Sequence, residues 1–245
     1  MHTAYVIDAR RTPIGKYGGS LAGVRPDDLL AHVIKGLLKR NPDIDLNDIE
    51  DVIAGDANQA GEDNRNVARM AALLAGLPVS VAGNTVNRLC ASGLQAIMDS
   101  SRAIMCGEGD LYIAAGVESM TRAPFVTLKS PAAWNRQPEV MDTTIGWRFA
   151  NSKLTEKYHP YSMGETAENV AAQWRITREE QDEFAFSSHS KYFAAKGAGK
   201  FTDEIVSVEI NGGKEEFRDD EHPRKTTTEK LASLKPAFSK SGSVT

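Results

Sequence analysis

The stretch Val81-Ala82-Gly83-Asn84-Thr85-Val86-Asn87-Arg88-Leu89-Cys90-Ala91-Ser92-Gly93-Leu94-Gln95-Ala96 joins an apolar segment to a helical one through a single cysteine. Val81 to Val86 is short and partly β-branched, as a buried strand requires. Beyond Cys90 the small residues Ala91, Ser92 and Gly93 open a run in which Leu94, Ile97, Met98 and Ile104-Met105 recur every three or four positions. That period predicts a helix, and Gly107 ends it. The same alternation flanks the stretch. Asp51 to Gly55 reads as a strand and Asn66 to Ala75 as a helix, while Leu111 to Ala115, closed by Gly116, reads as the next strand. Strands alternating with helices of this length give βαβ units and a mostly parallel sheet covered on both faces, so the fold class is α/β.

Working outward, Ala4-Tyr5-Val6-Ile7 predicts a buried strand that Pro13 terminates. Pro26 and Asp27 resemble a helix start, and Leu29, Leu30, Val33, Ile34, Leu37 and Leu38 follow at a spacing that buries one stripe. After about residue 120 the period disappears. Pro124, Pro131, Trp134 and Pro138 lie in a stretch that reads as an insertion or lid. Helical runs resume at Gly164 and again after Thr177, which forms a capping box with Glu180. Asp203 to Ile210 alternates like a strand, and the charged segment from Asp219 to Lys230 reads as a surface loop.

The formal charge of −4 and the absence of a basic run interleaved with aromatics argue against a nucleic-acid partner. No segment approaches the roughly 20 apolar residues of a membrane-spanning helix, and the start carries no basic-then-apolar signal pattern, so a cytoplasmic protein without a membrane partner is expected. Two cysteines are too few for a disulfide framework, and neither belongs to a CxxC pair. No HExxH, clustered carboxylate and histidine set, GxGxxG or GxxxxGK[ST] pattern points to a metal or a nucleotide cofactor.

Cys90 is the residue with chemistry. A cysteine at a helix start meets unpaired N–H groups and the positive end of the helix dipole, which favour the nucleophilic thiolate. The small residues after it leave room for a substrate. The alternative is a small buried hydrophobe, the fate of most free cysteines. Cys106, at the other end of the same helix, has the opposite dipole and reads as structural.

The eleven residues Val86 to Ala96 closely resemble the nucleophile signature of the thiolase family. Five further segments agree in order: Arg10-Arg11-Thr12-Pro13-Ile14-Gly15, Gln59-Ala60-Gly61 with Asn66-Val67-Ala68-Arg69, Gly116-Val117-Glu118-Ser119-Met120, Ser162 to Asn169, and Leu234-Lys235-Pro236-Ala237-Phe238. Gly61 to Asn66 and Asp142 to Phe149 look most like the branch of the family that acts on 3-oxoadipyl-CoA. The resemblance implies a thiolase-like layered αβα fold with a mixed, mostly parallel sheet, its N-terminal half carrying an inserted loop domain. Residues 1–120 would form the core with the nucleophile, 121–240 the inserted CoA-binding loop domain, and 241–245 the start of a returning core strand.

The implied activity is acyl transfer. The cysteine matching Cys90 takes an acyl group from a 3-oxoacyl-CoA, releases acetyl-CoA and passes the acyl group to free CoA. Coenzyme A is thus a substrate and no cofactor is expected. Met163 matches a residue lining the pantetheine tunnel, Arg224 is a candidate for the CoA phosphates, His159 is a candidate border of the substrate site, and Glu118 matches a glutamate buried near the family's active site. The family's activating histidine lies in a Gly-His-Pro segment and its second cysteine in a Cys-x-Gly-Gly run. His2, His32, His159, His189 and His222 have no such setting, and Cys106 does not either. The C-terminal catalytic half is therefore expected to be missing, the isolated chain inactive, and the complete protein a homodimer or homotetramer. The alternative is a non-catalytic CoA-binding or subunit-assembly module; a Cys-His hydrolase is weaker, because no histidine has a convincing partner motif.

Overall fold

A computed structural model describes residues 2–245. It divides into two compact units, one comprising the chain up to Thr144 together with Asp203–Asp220, the other Ile145–Thr202 together with Glu221–Thr245.

The first unit is a parallel sheet between helices. Strands β1 (Asp51–Gly55), β2 (Ala82–Val86) and β3 (Tyr112–Gly116) pair in the order β2-β1-β3, with Gly55 level with both Val86 and Gly116. All three strands therefore end together at one edge. The central strand reads Val-Ile-Ala at its middle, and alternation sends Val52 and Ala54 to one face and Ile53 and Gly55 to the other. Val52 and Ala54 join the main core with Leu30 and Ile34 of helix α1 (Pro26–Arg40) and Val67, Ala68, Ala71 and Ala72 of helix α2 (Val67–Ala75). Pro26 occupies the first turn of α1, and the Asn66 side chain caps α2 by accepting from Arg69 N–H. The mixed α/β architecture with a parallel sheet agrees with the fold class read from the alternation.

Helix α3 (Ser92–Cys106) covers the opposite face with a stripe of small residues, Ser92, Ala96 and Ser100, while the larger Leu94 and Ile97 are exposed. Small residues let the helix approach the sheet closely. A Cβ on Gly55 would stand 2.3 Å from the Ser92 carbonyl carbon, and one on Gly116 only 3.6 Å from Gly93 Cα.

The expected strand at Ala4–Ile7 is corrected. Those residues form no strand, and Tyr5, Val6 and Ile7 are 79%, 81% and 70% exposed. Among the described residues none pairs with them in a sheet, and a strand without a neighbour cannot satisfy its backbone N–H and C=O groups. The expected strand at 203–210 is shorter than the alternation indicated: Ile205 makes an isolated bridge to Arg11, and strand β6 spans only Val208–Ile210. It turns through Asn211, Gly212 and Gly213, all at positive φ, into β7 (Glu215–Phe217). The stretch after residue 120 holds an antiparallel pair, β4 (Phe125–Thr127) with β5 (Val140–Asp142).

The second unit contains α4 (Ser152–Thr155), α5 (Met163–Trp174), α6 (Arg178–Gly197) and α7 (Thr228–Ala232). Thr177 and Glu180 form the expected capping box of α6, and Ser162 with Glu165 forms a second one at α5. The Glu168 carboxylate accepts from Ser243 N–H and Val244 N–H, tying the final residues to α5.

Candidate active site

Cys90 is exposed in the turn between β2 and α3. Leu89, immediately before it, has φ 51°, a left-handed conformation that a bulky residue adopts only at a local cost of about 1–2 kcal/mol. The surroundings hold that turn from both sides. Ser92 Oγ accepts from Arg88 N–H at 2.9 Å and donates to the Leu89 carbonyl at 2.6 Å. Asn87 Oδ1 accepts from Leu89 N–H at 2.9 Å. The result is a sharp strand-to-helix elbow of the kind that presents a nucleophile at a sheet's end.

The electrostatics at this helix start differ from those of the other helices of twelve or more residues. Helices α1, α5 and α6 carry acidic residues in their first turns. Helix α3 has none, and Ala91 offers no side-chain cap. The positive end of α3 is thus not neutralised locally and is directed at the segment that carries Cys90.

The C-terminal edge of a parallel sheet is where α/β folds place their ligands. Here it carries a row of polar groups. Val117 N–H donates to the Gly55 carbonyl, and the Glu118 carboxylate beyond it accepts from Ala57 N–H at 2.9 Å and Asn58 N–H at 3.2 Å. Asn58 Nδ2 donates to the Thr143 carbonyl at 3.0 Å. Beneath them Asp56 is 1% exposed. Burial, together with the nearby Asp63 and Glu118 carboxylates, pushes its pKa up to about 8, so Asp56 is neutral near pH 7 and can donate to those carboxylates. At this edge the sequence points to Cys90 and Glu118, and not to Asp56, Asn58 or Asn87. Their positions directly after the ends of parallel strands were the available signal.

The other candidates lie in the second unit. Met163 opens α5 and is 68% exposed. His159 is exposed in the loop before α5, its ring 4.4 Å from that of Tyr161. Arg224 is exposed and lines a cavity of about 180 Å³ with Phe186, His189, Ser190, Phe193, Lys225 and Thr226. His189 Nδ1 accepts from Arg224 N–H at 3.4 Å, and Lys225 Nζ is 5.9 Å from the Phe193 ring centre. Lys225 over the Phe193 ring, with Arg224 in the same cavity lining, suits an anionic group. His32 meets the Ser207 carbonyl at 2.7 Å, a structural role for a helix histidine. Among the described residues no cluster of His, Cys, Asp and Glu could hold a metal ion, and no helix is long and apolar enough to cross a membrane.

Comparison with known proteins agrees with this architecture. Residues 4–245 match the family model described as "Thiolase, N-terminal domain". A beta-ketoadipyl-CoA thiolase of Escherichia coli is 54% identical over the whole chain, and so is one of Acinetobacter baylyi. The chain spans about 62% of the length of these relatives. The crystal structure of the Bacillus anthracis acetyl-CoA acetyltransferase superposes with a TM-score of 0.88 at 40% identity, covering 100% of this chain and 61% of that one. The strand-to-helix elbow at Cys90, the parallel sheet behind it and a family match over nearly every residue lead to one conclusion: the chain belongs to the thiolase family.

Proposed function

We propose that this sequence supplies the nucleophile and part of the CoA site of an acyl-CoA C-acyltransferase. The observation that carries the reading is the exposed Cys90 in a strained elbow at an un-neutralised helix start. The Cys90 sulfur adds to the C3 carbonyl of a 3-oxoacyl-CoA. The C2–C3 bond then breaks, and its electron pair leaves with the two-carbon fragment, which takes up a proton to become acetyl-CoA. The acyl group remains on sulfur as a thioester, and the thiol of a second CoA displaces it, restoring the cysteine. A covalent intermediate divides a difficult carbon–carbon cleavage into two easier steps.

The 54% identity to beta-ketoadipyl-CoA thiolases supports 3-oxoadipyl-CoA as the substrate, with acetoacetyl-CoA as the shorter alternative. Arg224 and its cavity fit the nucleotide end of CoA, and Met163 and His159 border the acyl arm. Residues 1–120 serve as the core, 121–240 as the CoA-binding loop domain and 241–245 as the start of a returning strand. The complete enzyme works as a cytoplasmic homo-oligomer without a cofactor.

The test is thiolysis of 3-oxoadipyl-CoA and acetoacetyl-CoA by a polypeptide that joins this sequence to a thiolase C-terminal half. Replacing Cys90→Ala is expected to reduce kcat by on the order of a thousandfold or more. Retention of most of the activity would overturn the assignment.

A further inference from the structure

The order β2-β1-β3 places the residues that follow the three strands side by side along one sheet edge: Asn87 after β2, Asp56-Ala57-Asn58 after β1, and Glu118 two residues after β3. Hydrogen bonds run along that row without a gap. Glu118 Oε2 accepts from Ala57 N–H at 2.9 Å, and Oε1 accepts from Asn58 N–H at 3.2 Å. The Ala57 carbonyl accepts from Asn87 Nδ2 at 3.0 Å. Asn87 Oδ1 in turn accepts from Leu89 N–H at 2.9 Å, one residue before Cys90 and at the one position of the elbow with a left-handed backbone.

We propose that Asn87 is a positioning residue for Cys90, holding the left-handed Leu89 in place while Glu118 sets the position of Asn87 through the 57–58 backbone. The proposal rests on the reading of Cys90 as the nucleophile. An amide is suited to this place, since one planar head offers both an N–H donor and a carbonyl acceptor. An aspartate would lose the bond to Ala57. Glu118 is suited to its place because both carboxylate oxygens are used on adjacent backbone N–H groups, which fixes the loop more rigidly than a single bond would. The neighbouring Asp56 is neutral near pH 7, so it can donate a proton toward Glu118 instead of repelling it. The relay also accounts for why a leucine tolerates φ 51°. Leu89 N–H is held by Asn87, and the Leu89 carbonyl is held by Ser92 Oγ and Ser92 N–H.

The experiment is competitive alkylation of the 245-residue chain by iodoacetamide across about pH 5 to 9, with the rates at Cys90 and Cys106 read separately by mass spectrometry. Both cysteines are exposed, so Cys106 serves as a control within each molecule. In the unsubstituted chain Cys90 is expected to react faster than Cys106. Asn87→Ala is expected to lower the Cys90 rate at neutral pH by roughly tenfold, leaving Cys106 unchanged. Glu118→Gln is expected to move Cys90 in the same direction by less. Because the two act in series, Asn87→Ala with Glu118→Gln is expected to be no slower than Asn87→Ala alone. Cys90 reacting at its original rate in both single variants, or fully additive losses in the double variant, overturns the relay. If a thermal melt shows that Asn87→Ala does not fold, Glu118→Gln decides by itself, and an unchanged Cys90 rate overturns the proposal. Equal rates at Cys90 and Cys106 in the unsubstituted chain would instead remove the nucleophile reading, and the proposal with it.

Discussion

Asp56 is a buried carboxyl directly after the end of β1. The folded chain keeps a proton on it up to about pH 8, whereas an unperturbed aspartate releases its proton near 3.8. The folded state therefore binds more protons across that window. Its contribution to stability is fully present below about 3.8, is lost as pH rises toward about 8, and is constant above. Asp56→Asn keeps the shape and a donor but removes the titration. The variant is thus expected to gain on the parent as pH rises between about pH 5 and about pH 8, by up to ~1.4 kcal/mol for each unit across that window. Urea unfolding at the two pH values measures the difference; equal pH dependence in parent and variant would contradict it. Arg224 carries a second expectation at this scale. Loss of a charge-assisted contact to phosphate in Arg224→Ala is expected to raise KM for CoA about tenfold with little change in kcat, equivalent to ~1.4 kcal/mol of binding. Steady-state kinetics of a polypeptide carrying the family's second half would show it, and an unchanged KM would exclude Arg224 from the CoA site.

At the scale of elements, the contact that places Cys90 is the one between the start of α3 and the end of β1. It depends on the absence of a side chain at Gly55, where a methyl group would lie 2.3 Å from Ser92 C and 2.4 Å from Gly93 N. Backbone atoms cannot move aside as a side-chain tip can. Gly55→Ala is therefore expected to displace the first turn of α3, destabilise the chain by about 1–3 kcal/mol or more and slow Cys90 alkylation. A melting temperature and Cys90 rate like those of the parent would show that the packing is looser than the geometry indicates. These elements were legible because they are local. The strands at 51–55, 82–86 and 112–116 and the helices between them follow from periodicity, glycine stops and caps that act within a few residues. The turn at Asn211-Gly212-Gly213, with three consecutive positive φ values, carried a hairpin signal that the alternation of 203–210 obscured.

At the scale of the whole molecule, what was hard to read is what depends on distant partners. Tyr5, Val6 and Ile7 have the composition of a buried strand, yet composition says nothing of whether a neighbour is present to pair with them, and they are exposed. The same reason explains the site. Cys90 was visible in one continuous segment, whereas Asn87, Ala57 and Glu118, up to 61 residues apart, become a row only once three strands line up at one edge. Met163, His159 and Arg224 carried no periodic or electrostatic signal of their own, and rest on the resemblance of their segments to the family's. The most direct test of the central claim is to treat a polypeptide joining residues 1–245 to a thiolase C-terminal half with acetyl-CoA and map the acetyl group by peptide mass spectrometry after acid quenching. An acetyl thioester on Cys90, absent from Cys90→Ala and released by added CoA, is the expected result. Acetylation confined to another residue, or none at Cys90, would contradict it.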